Sequence, residues 1–176
     1  MTHNIVDTNV PLTAAGYNNV ATRNCRNECI DFLEHVFRGD VIVVIDNANA
    51  ALNEYANNLP RPLGIDNLAS RFLIHLYNNR GNEQFIKEVA LAKSTTGQFL
   101  DYPDNAGSWK TDDPRCKRFD EDDKKWVAIA LRFKSKSGDD APIACAADHC
   151  WSVFELILKM AGVQLDFVCN RYPTTN

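Results

Sequence analysis

The chain has 176 residues, 45% of them hydrophobic and 24% charged, with a formal net charge of −4. That composition is globular and excludes a disordered tail, a collagen or a repeat array, and the acidic balance disfavours a nucleic-acid binder with a broad basic face, though not one with a local basic patch. No stretch approaches the roughly 18 apolar residues of a membrane span, and residues 1–20 have no basic start followed by an apolar run, so no secretory signal is expected.

In chain order, residues 4–7 read as a short buried strand ending in Asp7. Residues 13–20 read as loop. Residues 21–38 place Cys25, Cys29, Phe32, Leu33 and Val36 on one helical stripe, and Gly39 stops that helix. Residues 41–45, Val-Ile-Val-Val-Ile, are β-branched without alternation, which predicts a strand covered on both faces and therefore a parallel sheet. Asp46 is a natural N-cap for a helix with the stripe Ala48, Ala51, Leu52, Tyr55, Ala56 and Leu59, broken by Pro60-Arg61-Pro62. A further helix from about Asp66 to Tyr77 buries Leu68, Phe72 and Leu76, with His75 beside the stripe.

Residues 83–92 fit strand or helix equally. Residues 94–118, with Gly97, Pro103, Gly107, Pro114 and mixed charges, predict a long exposed loop, a kind that often carries function. Residues 120–133 are an amphipathic helix, 134–141 a polar turn, and 143–147 an apolar strand ending at Asp148. Residues 149–161 are an apolar helix closed by Gly162, and 163–168 alternate as a last strand. Strands alternating with helices predict an α/β fold, a three-layer α/β/α sandwich with a mostly parallel central sheet, in one domain over residues 1–176.

Six cysteines suggest a disulfide set only in a small secreted chain. Here they are expected as reduced thiols of a cytoplasmic protein, with Cys25 and Cys29 as buried small side chains. A zinc site from Cys145, His149 and Cys150 is the less favoured reading, because the paired Cys-x-x-Cys spacing of structural zinc is absent.

In a parallel sheet, ligands gather at the carboxyl ends of the strands. Asp7 and Asp148 fall at two such ends. Neighbouring strands lie about 4.8 Å apart, so acids on adjacent strand ends can share a cleft. Carboxylates held that close resist ionising unless a cation sits between them, and oxygen ligands suit Mg²⁺ or Mn²⁺. Asp123 and Asp122 each extend the buried face of the helix over 120–133, and spacing does not choose between them. By periodicity Glu54 is a solvated side chain. No Ser-His or Cys-His nucleophile pair stands out.

Ile5-Val6-Asp7-Thr8-Asn9-Val10 resembles the opening motif of the PIN-domain nucleases. Val43-Val44-Ile45-Asp46 followed by Asn53-Glu54-Tyr55 resembles that family's second strand and acid-bearing helix. Residues 119–128, from Phe119 through Asp123 to Trp126, resemble the third motif, and Ala147-Asp148-His149-Cys150-Trp151 the fourth. The four stand in the family's order and span nearly the whole chain. The resemblance implies a Rossmann-like sandwich and a metal-dependent ribonuclease acting on single-stranded RNA, with Asp7, Glu54, Asp123 and Asp148 as catalytic, metal-binding acids for Mg²⁺ or Mn²⁺. It places the third acid at Asp123 and lifts Glu54 above its solvated reading. Cys150 stands where relatives often carry a further Asp, which bears on a second metal. Thr8 and Asn9 are expected to orient Asp7 or a bound water.

Lys110, Arg115, Lys117, Arg118, Lys124 and Lys125 are expected to meet RNA phosphates, with Trp109 or Tyr102 stacking on a base, although Asp101, Asp104, Asp112 and Asp113 interleave with these cations. The implied setting is a cytoplasmic toxin or defence effector whose partners are RNA, an antitoxin or defence protein, or a second copy of the chain. Two other functions fit parts of the sequence. One is a non-catalytic PIN-like module that binds RNA or protein. The other is a phospho-aspartate phosphatase, which Asn9 disfavours because that chemistry usually wants an acid two residues after its nucleophile.

Overall fold

A computed structural model describes residues 1–59, 67–103 and 109–169. The expected break at Pro60-Arg61-Pro62, the helix start near Asp66, and Asp104 and Gly107 of the loop lie outside them. Five strands and six helices are present among the described residues: β1 (Thr2–Val6), α1 (Asn9–Ala14), α2 (Arg23–Arg38), β2 (Val41–Asp46), α3 (Ala50–Asn58), α4 (Leu68–Asn78), β3 (Ile86–Val89), α5 (Lys124–Ser137), β4 (Ile143–Cys145), α6 (His149–Met160) and β5 (Leu165–Phe167). The strands form one sheet in the order β3-β2-β1-β4-β5, every pairing parallel. The fold is thus a three-layer α/β fold. Right-handed crossovers put the helices between β1 and β3 on one face and α5 and α6 on the other. In keeping with this, α1 packs on α2 and α4, while α5 lies across β1 to β4.

The uniform Val-Ile run of β2 is buried along its length, as a strand covered on both faces must be. Residues 83–92 resolve as the short edge strand β3. Gly39 ends α2 at φ 79°, and a side chain there would meet the Phe85 ring at 3.1 Å, so glycine fits for both reasons. Several boundaries differ from expectation, and helix α5 begins at Lys124 rather than at Asp120. The first two residues of the loop expected at 13–20 instead end a helix, α1 (Asn9–Ala14), that is too short to show a period. Helix α5 runs on through Lys134–Ser137 until Gly138 caps it at φ 82°. A polar last turn needs no buried face, so hydrophobic periodicity does not reveal it.

The cysteines depart from the reduced-thiol expectation. Cys25 is bonded to Cys169 and Cys116 to Cys150, with Cα–Cα distances of 4.8 and 5.5 Å, while Cys29 and Cys145 are free and buried. Pairing depends on which backbones the fold brings together, and these partners are 144 and 34 residues apart. A Cys145–His149–Cys150 zinc set is overturned by the Cys116–Cys150 bond. No described helix is long and apolar enough to cross a membrane.

The segment over 94–118 is not the wholly exposed loop its composition suggests. Tyr102 and Cys116 are buried, as is Phe119 just after it. Their rings form a chain: Tyr102 on Trp109 at 5.7 Å, Trp109 on Phe119 at 5.4 Å, and Phe119 on Trp151 at 5.5 Å and Phe154 at 5.3 Å. With the Cys116–Cys150 bond, this aromatic row fastens the segment to α6.

Candidate metal centre

From β1 the chain steps outward through β2 to β3, then returns to the other side of β1 for β4 and β5. The carboxyl ends of β1 and β4 therefore flank the point where strand order reverses, the place in an open parallel sheet where a crevice forms. Asp7 directly follows β1, and Asp148 lies three residues past β4 as the N-cap of α6. Asp7 is 3% exposed, and its N–H donates to the Ala144 carbonyl of the neighbouring strand at 2.8 Å.

Asn9 ties the two acids together. Its backbone N–H donates to Asp7 Oδ2 at 3.4 Å, and its side-chain Nδ2 donates to Asp148 Oδ2 at 2.9 Å. The other Asp148 oxygen accepts the Cys150 N–H at 2.8 Å, so Asp148 is a helix cap and a cleft acid at once. The backbone that aims it is unusual: Ala147 has φ 50°, a left-handed conformation an alanine adopts at a cost of about 1–3 kcal/mol.

Asp123 enters from the third segment, at the N-terminus of α5. Burial, then the charges of Asp7 and Asp148, raise its carboxyl from 3.8 to about 8. Burial, then the charge of Asp148, raise Asp7 to about 7. Asp148 is raised as well, chiefly by burial. Three carboxyls from three distant segments thus act on one another in a partly dry place, and each resists ionising. Of the adjacent pair left open by spacing, Asp123 is the one in this cluster, while Asp122 is exposed.

Glu54 is held elsewhere. Its Oε2 lies 3.4 Å from the Lys125 ammonium, and its Oε1 accepts from Asn58 at 2.7 Å. Lys125 is itself buried: its Nζ donates to the Asp122 carbonyl and lies 4.8 Å from the Trp126 ring centroid. Lys125 is therefore engaged inside the protein rather than presented to a phosphate. Lys124 is paired with Glu121 and sits 5.2 Å over the Tyr102 ring. Arg115 pairs with Asp113 at 3.2 Å. Lys110, Lys117 and Arg118 are exposed. Trp109 and Tyr102, expected as base platforms, have faces or edges occupied by the aromatic row.

Three features escaped sequence reading. Asp120 adds charge to both Asp123 and Asp148, and its spacing three residues before Asp123 was the available signal. The buried Tyr55 hydroxyl donates to the Val6 carbonyl, fixing the backbone just before Asp7. His149 Nε2 lies 2.7 Å from Asp113 Oδ2. With the Nε2 proton donated to that carboxylate, the Arg115 guanidinium 2.7 Å from the same nitrogen is a contact and not a second hydrogen bond. Arg115 and His149 together hold the Asp113 carboxyl well below the usual range.

The donor set tests well in kind for a hard divalent cation: carboxyl oxygens whose mutual repulsion a cation would relieve, and the buried Thr8 hydroxyl, which has no hydrogen-bond partner among the described residues, directly after Asp7. It is not drawn to coordination distance. Among the described residues, the group of His, Cys, Asp or Glu side chains near enough to share one ion is Cys25, Cys29 and Cys169. Compared with known proteins, the chain matches no family model, no curated protein and no solved structure.

Proposed function

We propose that this chain is a PIN-type endoribonuclease that hydrolyses single-stranded RNA with Mg²⁺ or Mn²⁺. The observation that carries the reading is the mutual action of Asp7, Asp123 and Asp148 at the strand-order reversal, with Asn9 bonded to two of them. Asp7, Asp123 and Asp148 would hold the cation, and the buried Thr8 hydroxyl next to Asp7 in the chain would join them or hold a water. Bound there, Mg²⁺ or Mn²⁺ supplies Lewis acidity and neutralises charge in phosphodiester hydrolysis. Asn9 keeps Asp148 turned toward Asp7, and the Cys150 N–H fixes the other Asp148 oxygen. Lys125 neutralises Glu54, so Glu54 acts by positioning the start of α5 unless its pairing with Lys125 opens. Protons held on the raised carboxyls leave when a cation enters, which makes activity rise with pH through the neutral range.

The exposed Lys110, Lys117 and Arg118 offer a modest anchor for RNA phosphates. A toxin or defence role, with an antitoxin, a defence protein or a second copy as partner, extends the same proposal. Cellular RNA is met in the cytoplasm, so a cytoplasmic location goes with this activity, and the two disulfides would then form only under oxidising conditions.

The test is cleavage of single-stranded RNA by purified protein with Mg²⁺ or Mn²⁺, with EDTA, and with Asp7→Asn and Asp148→Asn. Loss of at least about 100-fold in each variant, with unchanged circular dichroism, is expected for groups that hold the reaction's electrostatics. Undiminished cleavage in EDTA or in either variant overturns the proposal. The engagement of Glu54 by Lys125 favours a second reading, a non-catalytic RNA- or protein-binding module. Calorimetry that finds no divalent-ion binding would decide for it.

A further inference from the structure

Helix α2 joins the carboxyl end of β1, through α1, to the start of β2, so its first turns lie at the carboxyl edge of the sheet. Cys25 and Cys29 stand one turn apart on its buried face. Cys169 follows β5, whose end reaches the same edge. All three are buried, at 7%, 0% and 4% exposure, and their sulfurs lie within 4.8 Å of one another. Cys25 and Cys169 are bonded, and Cys29 is a free third thiol against that bond.

We propose that Cys25, Cys29 and Cys169, once the Cys25–Cys169 bond is reduced, form a three-thiolate site for a thiophilic divalent cation of the zinc type. A tetrahedral zinc with bonds of about 2.3 Å sets its sulfurs roughly 3.8 Å apart, so the widest sulfur separation closes by about an ångström while the Cys25 and Cys169 sulfurs, bonded to each other when oxidised, move apart once their bond is broken. Two ligands one turn apart on a rigid helix are already placed, and the fold itself brings the third across 144 residues. The chemistry balances through a dithiol reductant. The reductant delivers two electrons and two protons, leaves as its own disulfide, and breaks the Cys25–Cys169 bond to give two thiols. The cation then displaces three S–H protons to solvent. Burial holds the Cys29 thiol up at about 12, so without a cation it stays protonated; coordination removes that proton outright.

The arrangement ties the last strand to α2 under either redox condition, by a covalent bond when oxidised and by a metal when reduced. Soft thiolates here and hard carboxylates at Asp7, Asp123 and Asp148 take different metals, so this site stands whether or not the chain cleaves RNA.

The experiment reduces the protein with a dithiol, removes the dithiol under inert gas, and titrates Cd²⁺ while following the thiolate charge-transfer absorption. One Cd²⁺ per chain is expected in wild type and in Cys145→Ala. No band is expected in oxidised protein, and affinity should fall at least about 100-fold in Cys29→Ala, beyond the loss typical of an outer-shell partner. Cadmium NMR of reduced wild type needs no variant and should show a shift typical of three sulfur ligands. Absence of saturable binding, equal binding by Cys29→Ala and Cys145→Ala, or a shift typical of two sulfurs or fewer overturns the proposal.

Discussion

Replacing Asp7 by asparagine should make the metal-free protein more stable at alkaline pH and flatten its pH dependence. Asp7 is almost fully buried, and burial with the Asp148 charge raises its carboxyl from 3.8 to about 7. The folded group therefore keeps its proton over a range in which the unfolded chain has already released it. Stability falls with rising pH wherever the folded state binds more protons, so the loss begins above about pH 4 and levels off above about pH 7. Each tenfold difference in proton affinity between the folded and unfolded chain is worth about 1.4 kcal/mol, so the whole effect is on the order of 4 kcal/mol, of which about 2–3 falls between pH 5 and pH 8. Asparagine has nearly the same shape, stays neutral, and its oxygen can still accept the Asn9 N–H. Urea unfolding with a chelator present, at pH 5, 6.5 and 8, measures the slope. Wild type should lose at least this amount between the extremes, because Asp123 titrates in the same sense, and Asp7→Asn should lose correspondingly less. A variant with the wild-type slope would falsify the claim that Asp7 is a repelled, dry carboxyl.

Two further outcomes follow from the same geometry. Mn²⁺ at about 100 times its dissociation constant should stabilise the protein by about 2.7 kcal/mol at pH 8 and by less at pH 5.5, where protons compete for the carboxyls; thermal melts at both pH values check this, and an equal rise at each contradicts it. Removing the Cys116–Cys150 bond, which closes a loop of 34 residues, as the double alanine variant should cost about 4 kcal/mol by urea unfolding. It should also raise protease cleavage around residues 109–118, and unchanged proteolysis would mean that the aromatic row holds the segment unaided.

The layers of the fold were legible because its strands carry strong local signals. The Val-Ile run of β2 and the short apolar runs ending at Asp7 and Asp148 announced a parallel sheet and acids at strand ends, and the structure has that sheet. The helix α1 was hidden by its brevity and by Pro11, and the last turn of α5 by its lack of any apolar side chain. At the candidate centre, Asp7 and Asp148 could be placed from strand ends alone, while choosing Asp123 over Asp122 needed either the resemblance or the fold. What stayed illegible is pairing across distance. Nothing in the string links Lys125 to Glu54, Cys116 to Cys150, or Tyr102 to Trp109, since each partner is selected only when the layers close.

The reversal of strand order also has a temporal meaning. Asn9 and Asp148 are 139 residues apart in the chain yet hydrogen-bonded. At a synthesis rate of about 5–20 residues per second, the ribosome delivers the first of them roughly 7–28 seconds before the second. For most of that interval the nascent chain holds Asp7 alone, joined by Asp123 only 25 residues before Asp148. If the protein cuts RNA as proposed, the transcript and the ribosome that produce it are spared until β4 and Asp148 have emerged, and a product terminated before that point lacks an acid of the cleft.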